Sequence, residues 1–317
     1  MADRYTACFQ HALIQGDLEA IRKIPKGDRH IHASRGCGRR ELKADLQHPI
    51  PDAPADGFSS LDQMQQWVDT HIRPQLPGAD GWLKKIDAMF RSAVADGVTF
   101  LEPSFTLRDI DKFGSVENFW TAVNSIYQKY AGQIVFSPCL SIRTKDDLDF
   151  TLPRVDRALS YGVFRAIDLC NQEGIRPYAD YRPVYKIAEY YGICKKAHVG
   201  EFGTADMVIE AITQLQLDEV QHGIAVVNSP AAMALALSKN ICFHVCPTSN
   251  ICLQIVRDHG SHPIKTMAQM GLRLTIGTDD LLIFDTTVSQ EYLQLYRSGC
   301  LTPEQLDQIR INSLARR

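Results

Sequence analysis

The chain has no run of about 18 apolar residues, the length a helix needs to cross a bilayer, so a membrane-spanning segment is not expected. Its opening stretch, MADRYTACFQHALIQGD, lacks the apolar core of a secretory signal. An excess of charge of one sign is missing too: 34 Lys and Arg stand against 37 Asp and Glu, a formal net charge of -3. That removes the electrostatic reason to expect nucleic acid or an anionic membrane as partner. The nine cysteines contain no CxxC pair, and Cys139, Cys242 and Cys246 lie in apolar, strand-like segments. An odd number of such thiols predicts reduced cysteines and a cytoplasmic compartment. Cys246 and Cys252 leave a metal-binding pair open as an alternative. No internal repeat, low-complexity tract or signal for a second domain is visible, and nothing in the sequence reports on oligomeric state. The remainder, 45% hydrophobic and 22% charged, is the composition of an ordinary soluble globular protein.

From about residue 94 onward, short apolar runs alternate with helical patterns. The strand-like runs are Val98–Leu101, Ile134–Leu140, Phe164–Leu169, Cys194–Val199, Glu219–Ile224, Ile241–Cys246 and Leu272–Ile276. Between them, Val184, Ile187, Ala188 and Tyr191 follow the i, i+3, i+4, i+7 rule of an amphipathic helix, as do Val208, Ala211, Ile212 and Leu215. Thr302-Pro303-Glu304-Gln305 reads as a capping box with proline at the first helical position. Adding the run Arg29–His32 gives eight strands. Eight βα repeats predict an α/β fold, a (β/α)8 TIM barrel forming one domain over residues 1–317, with its active face at the strand C-termini. Residues 33–93, between the first two strands, are too long for a simple crossover. They hold Pro49, Pro51 and Pro54, then helical patterns around Leu61–Ile72 and Trp82–Ala95. This helical insertion is expected to be either a lid over the site or a decoration without a gating role.

Four short stretches place chemistry-bearing side chains at separate strand ends. His30-Ile31-His32 puts two imidazoles on one face, because positions i and i+2 of a strand point the same way. His198 ends the fifth run and would supply a third nitrogen, with Glu201 three residues on, in the loop. His222 ends the sixth run and can orient a water or take its proton. Asp279 follows the eighth run and offers a carboxylate oxygen. Three imidazoles and one carboxylate suit one zinc ion, with iron(II) as second choice, and leave a position for water. Taken singly, each of these residues reads as a hydrogen-bonded histidine or a surface carboxylate; a set at four strand ends describes a metal site with an acid and a base beside it.

The HxH triplet after Ile24-Pro25-Lys26, the His198-Val199-Gly200-Glu201 box, the Gln221-His222-Gly223 box, Cys246-Pro247-Thr248-Ser249-Asn250 and Thr275-Ile276-Gly277-Thr278-Asp279-Asp280 together resemble the adenosine and adenine deaminase branch of the amidohydrolase superfamily. The resemblance runs from about residue 24 to the C-terminal helix. It implies hydrolytic deamination of a 6-aminopurine, most readily adenosine or a related nucleoside. By that likeness His30, His32, His198 and Asp279 hold zinc, and Glu201, His222 and Asp279 are the catalytic groups. Glu201 gives a proton to purine N1, for which burial must raise its pKa. His32, Ser34, Asn171, Gly200 and Asp280 would meet the substrate, Asp280 at purine N7.

Two departures bear on the substrate. The family commonly has an acidic residue two positions after the second histidine, where it binds the ribose 5′-hydroxyl; here Ser34 stands there, followed by Arg35. Arg35 either points to solvent or meets a 5′-phosphate or other anionic group. Family members often carry a glycine where this chain has Asn171, which narrows or repolarises the pocket. Asp168 and Glu173 read as structural. Alternatives to adenosine are therefore a 5′-phosphorylated or N6-substituted adenine nucleotide, or another amino-heterocycle. One rival reaction is two-metal amide or ester hydrolysis, which usually wants a lysine at the end of the fourth strand; Phe164–Leu169 has none. A rival of a different class is a catalytically silent purine-binding barrel.

Overall fold

The computed structural model describes residues 3–315. Among the described residues, nine strands, all paired in parallel, make one sheet: β1 (Lys26–His32), β2 (Val98–Thr106), β3 (Val135–Phe136), β4 (Cys139–Arg143), β5 (Ala166–Cys170), β6 (Cys194–Val199), β7 (Glu219–His222), β8 (Cys242–Val245) and β9 (Arg273–Ile276). The order is β1-β2-β4-β5-β6-β7-β8-β9, with the two-residue β3 beside β2. The sheet closes where the chain just past β9 meets β1, through an Ile31–Asp279 bridge. His32 N donates to Asp279 O at 2.9 Å and Asp279 N to His30 O at 2.8 Å. The structure is the expected eight-stranded barrel, and closure delivers Asp279 onto the HxH strand.

The strand expected over Ile134–Leu140 is two strands, because Pro138 has no N–H for the ladder. Its carbonyl instead accepts from Arg165 N at 2.9 Å, while Ser137 N donates to Leu101 O at 2.9 Å. β2 runs five residues beyond the apolar Val98–Leu101, carrying Glu102, Pro103 and Ser104 into the barrel wall. β7 stops two residues early, at His222, which has a φ of 57° and is followed by Gly223 at 68°. The two amphipathic patterns form the helices Arg182–Tyr190 and Ala205–Leu215, with Val208, Ala211 and Ile212 fully buried. The Thr302 capping box is present at the head of the helix Pro303–Leu314.

Within the insertion, the helix Gly78–Ala95 is the crossover helix that precedes β2. The irregular chain before the helix Leu61–His71 reaches the segments that follow β8 and β9. Phe58 N donates to Cys252 O at 2.6 Å, and Gln254 Nε2 to Asp56 O at 2.6 Å. Arg39 bonds the carbonyls of Leu282 and Ile283 at 3.1 and 2.9 Å. The insertion is thus fastened to the segments that follow β8 and β9.

The barrel floor is polar. Lys196 Nζ lies 2.8 Å from Glu102 and 3.1 Å from Glu219, and His244 Nε2 lies 2.6 Å from Glu219, all buried. Among the described residues, no helix is long and apolar enough to cross a membrane, and all nine cysteines are free thiols.

Candidate metal centre and active site

β1 projects His30 and His32 to one side, as the strand period requires, and β6 brings His198 to the same place. The three imidazoles form one cluster of potential donors, and His32 forms a second with Asp279 and Asp280. His30 Nε2 and His198 Nε2 are 3.1 Å apart. His32 Nε2 is 3.1 Å from Asp279 Oδ1, and His30 Nε2 is 3.7 Å from the same oxygen.

The other ring nitrogens of these histidines are engaged. His30 Nδ1 donates to His244 O at 3.0 Å, which leaves Nε2 as a lone pair. His198 Nδ1 faces both Asp168 oxygens, at 3.1 and 3.0 Å. Two imidazole lone pairs at 3.1 Å repel unless a cation lies between them, and donors about 2.0–2.1 Å from one tetrahedral ion are about 3.3 Å apart. The donor set therefore fits a metal ion. The Asp–His–donor arrangement is the outer support that metal-binding histidines normally carry. Ser104 Oγ, 3.1 Å from His32 Nδ1, does the same for the third imidazole. Burial drives the His30 pKa down to about 3, so this ring is neutral and able to ligate. Burial works against ionised Asp168, but its electrostatic interaction and hydrogen bond with the His198 ring hold its carboxyl below the usual range.

Asp279 is 5% exposed, with a φ of 59°. Its Oδ2 accepts from Ser249 Oγ at 2.6 Å. Burial opposes its ionisation, yet the His32 hydrogen bond and the facing imidazoles hold its pKa well below normal. Glu201, 8% exposed, moves the other way. Burial, then the charges of Asp279, Glu173 and Asp280, push it well above the ordinary glutamate value, against a hydrogen bond from Asn250. Two carboxyl groups of one pocket are thereby driven to opposite protonation states.

His222 Nε2 is 3.4 Å from Glu201 Oε1 and 3.8 Å from Asp279 Oδ2. Asn250 Nδ2 bridges the pair, 3.2 Å from His222 Nδ1 and 3.3 Å from Glu201 Oε1. Asn171, His222 and Asp279 all have positive φ without being glycine, a conformation that costs on the order of 1–3 kcal/mol and gathers at functional sites.

Glu173 accepts from the backbone N–H groups of Gly200, Glu201 and Phe202 at 2.6, 2.9 and 2.8 Å, so it fixes the loop that carries Glu201. Gly200, with a φ of 73°, has no room for a side chain: a Cβ would lie 2.5 Å from Val208 Cγ2. Its N–H is engaged by Glu173, so its contribution in this structure is conformational. Ser34 is half-buried and Asn171 exposed. Arg35 does not turn to solvent. Its Nε lies 2.9 Å from Asp280 Oδ1, an ion pair not aligned as a hydrogen bond, with both atoms buried. Cys246 borders His30 and His222, while Cys252 belongs to none of the donor clusters among the described residues.

Ser104, Ser249 and Asn250 have roles that sequence reasoning missed. Ser249 and Asn250 stand in the Cys246–Asn250 box, which gave a signal without a role. Ser104 lies behind Pro103 in a stretch without strand character.

The fold and site together define a closed parallel barrel with a histidine–carboxylate cluster of potential metal donors at its C-terminal mouth. A family model described as adenosine deaminase matches residues 88–316. A putative adenosine/adenine deaminase of Treponema pallidum is 30% identical over 286 residues, 90% of this chain and 95% of that protein. Among solved structures, an adenine deaminase from Arthrobacter aurescens superposes with a TM-score of 0.78 at 21% identity, covering 91% of this chain and 92% of its own. A zinc-bound amidohydrolase from Burkholderia ambifaria gives a TM-score of 0.78 at 21% identity, covering 99% and 87%. The chain belongs to the adenosine deaminase family, a family of hydrolytic deaminases.

Proposed function

We propose that the protein deaminates a 6-aminopurine hydrolytically, with adenosine or a related nucleoside as its first substrate and zinc as its ion. The observation that carries the reading is Glu201: a buried carboxyl driven toward its protonated form, 3.4 Å from His222, beside an ionised Asp279. His30, His32, His198 and Asp279 would hold the ion, with iron(II) the second choice for the same donors. When bound, zinc lowers the pKa of water to about 7 and so makes a nucleophile available at neutral pH.

The chain's own groups do the rest. Glu201 gives its proton to purine N1, which breaks the aromaticity and lets C6 become tetrahedral when water adds. His222 presents Nε2–H to the site, because its Nδ1 is engaged by Asn250, and so orients the attacking oxygen. Asp279, its Oδ2 fixed by Ser249, accepts the proton that water loses. That proton passes to the amino group; ammonia leaves as the C6 hydroxyl returns a proton to Glu201, and the 6-oxopurine remains. Asp280 meets the ring at N7, the Asn171 backbone N–H meets N3, and Ser34 borders the ribose 5′-hydroxyl. Residues 33–93 would cover the mouth during turnover, and the bonds from Asp56, Phe58 and Arg39 to the loops after β8 and β9 support that part for them.

One observation favours a second reading. Arg35 faces inward on Asp280, and its terminal nitrogens make no protein hydrogen bond among the described residues. A guanidinium with free donors beside the site suits an anionic substituent, such as a 5′-phosphate. Adenosine turnover by the metal-loaded protein, abolished in Glu201→Gln, tests the main reading. A higher kcat/KM on adenosine 5′-monophosphate, lost in Arg35→Met, would favour the second; equal or lower rates on the phosphate would remove it.

A further inference from the structure

His262 belongs to none of the donor clusters among the described residues, yet it is 1% exposed, in the loop before the helix Ile264–Gln269. Its hydrogen bonds have a fixed direction. Ile264 N–H, which can only donate, is 3.0 Å from His262 Nδ1, so that nitrogen is a lone pair. Burial lowers the His262 pKa to about 3, so the ring is neutral and its proton is on Nε2. Nε2 is 3.2 Å from Asn250 Oδ1, which accepts. This bond decides which way round the Asn250 amide stands. Its NH2 must then face His222 Nδ1 at 3.2 Å and Glu201 Oε1 at 3.3 Å. With Nδ1 of His222 accepting, the proton of that neutral ring is on Nε2, toward the reacting centre.

We propose that His262 and Asn250 form a directional relay, begun by the Ile264 backbone N–H, that fixes the tautomer of His222. Every link passes a donor to an acceptor, and reversing any one reverses the rest. Through this relay His222 is a donor that orients the attacking oxygen and is not the base that takes its proton. His262 and Asn250 are positioning residues. The consequence for turnover rests on the deaminase reading, whereas the tautomer itself does not.

The test is ring-nitrogen NMR on metal-loaded, 15N-histidine-labelled protein, read beside kcat and KM for adenosine. The parent is expected to show His222 protonated at Nε2. His262→Leu removes the donor that holds the amide, and should give mixed tautomers at His222 and a kcat lower by about 10- to 100-fold, with KM and metal content nearly unchanged. His262→Gln can still donate to Asn250 Oδ1 and should recover most of the loss. Asn250→Asp, which replaces the donor by an acceptor, should move the His222 proton to Nδ1, and decides the matter if the leucine variant does not fold. An unchanged His222 tautomer in the folded variants would overturn the relay, whatever happened to activity. A tautomer shift in a protein that deaminates no aminopurine would keep the relay and remove the function reading.

Discussion

At the scale of single residues, the site depends on which groups hold protons. Glu201 must be protonated to act as an acid. Its folded pKa is raised above the ordinary value, first by burial, so its active form is present at lower pH and is lost as pH rises through that folded pKa. An alkaline limb in kcat/KM is therefore expected, and a kcat/KM that stays level through alkaline pH in the folded, metal-loaded protein would contradict it. The sign for stability is the same: the folded state holds the Glu201 proton more tightly than the unfolded chain, so this group's contribution falls as pH rises from about 4.3 upward. Asp168 works through His198, whose Nδ1 it meets at 3.0–3.1 Å. Asp168→Asn should weaken metal affinity by about 10- to 100-fold, measurable by competition with a chelator. An unchanged affinity would reduce Asp168 to a packing role.

At the scale of elements, strand ends make the site. β1 supplies two imidazoles by its two-residue period, and β9 approaches so closely that a Cβ on Gly277 would lie 2.6 Å from His30 Cβ. The candidate donors that the structure brings together were legible in the sequence, His198 and Asp279 because they follow apolar runs and His30 and His32 through the i, i+2 spacing of a strand. Ser104, Ser249, Asn250 and His262 were not, because each acts on a partner distant in sequence and carries no periodic signal. Asp168 and Glu173 were read as structural; Asp168 holds the His198 ring through Nδ1 and Glu173 fixes the Glu201 loop. The long reach of β2 was hidden by Glu102, Pro103 and Ser104, a polar stretch that closure of the barrel makes strand. Its Glu102 joins Lys196 and Glu219 on the floor. Lys196→Met would remove the nearer buried cation, leaving Arg29 at 3.8 Å from each carboxylate, and should cost about 3–5 kcal/mol in denaturant unfolding. A change below about 1 kcal/mol would show that the floor relaxes around the loss.

Over the whole molecule, the eight-stranded barrel was readable from the alternation of runs and helical patterns, while the course of the insertion was not. Its fastening points, Asp56, Phe58 and Arg39, meet the segments after β8 and β9 that also carry Ser249, Asn250 and Asp280. If it covers the site during turnover, hydrogen exchange across residues 51–60 should slow when a 6-oxopurine product is bound. Exchange unchanged by ligand would make it a fixed decoration. The central claim, an aminopurine deaminase acting through Glu201, is tested most directly by an ultraviolet assay of the metal-loaded protein. The panel is adenine, adenosine, deoxyadenosine, adenosine 5′-monophosphate and N6-substituted analogues, with Glu201→Gln alongside. Turnover of at least one member with release of ammonia, lost in the glutamine variant and on removal of the metal, is the predicted result. Silence across the panel from a protein with one metal bound, or equal turnover by the variant, would contradict it.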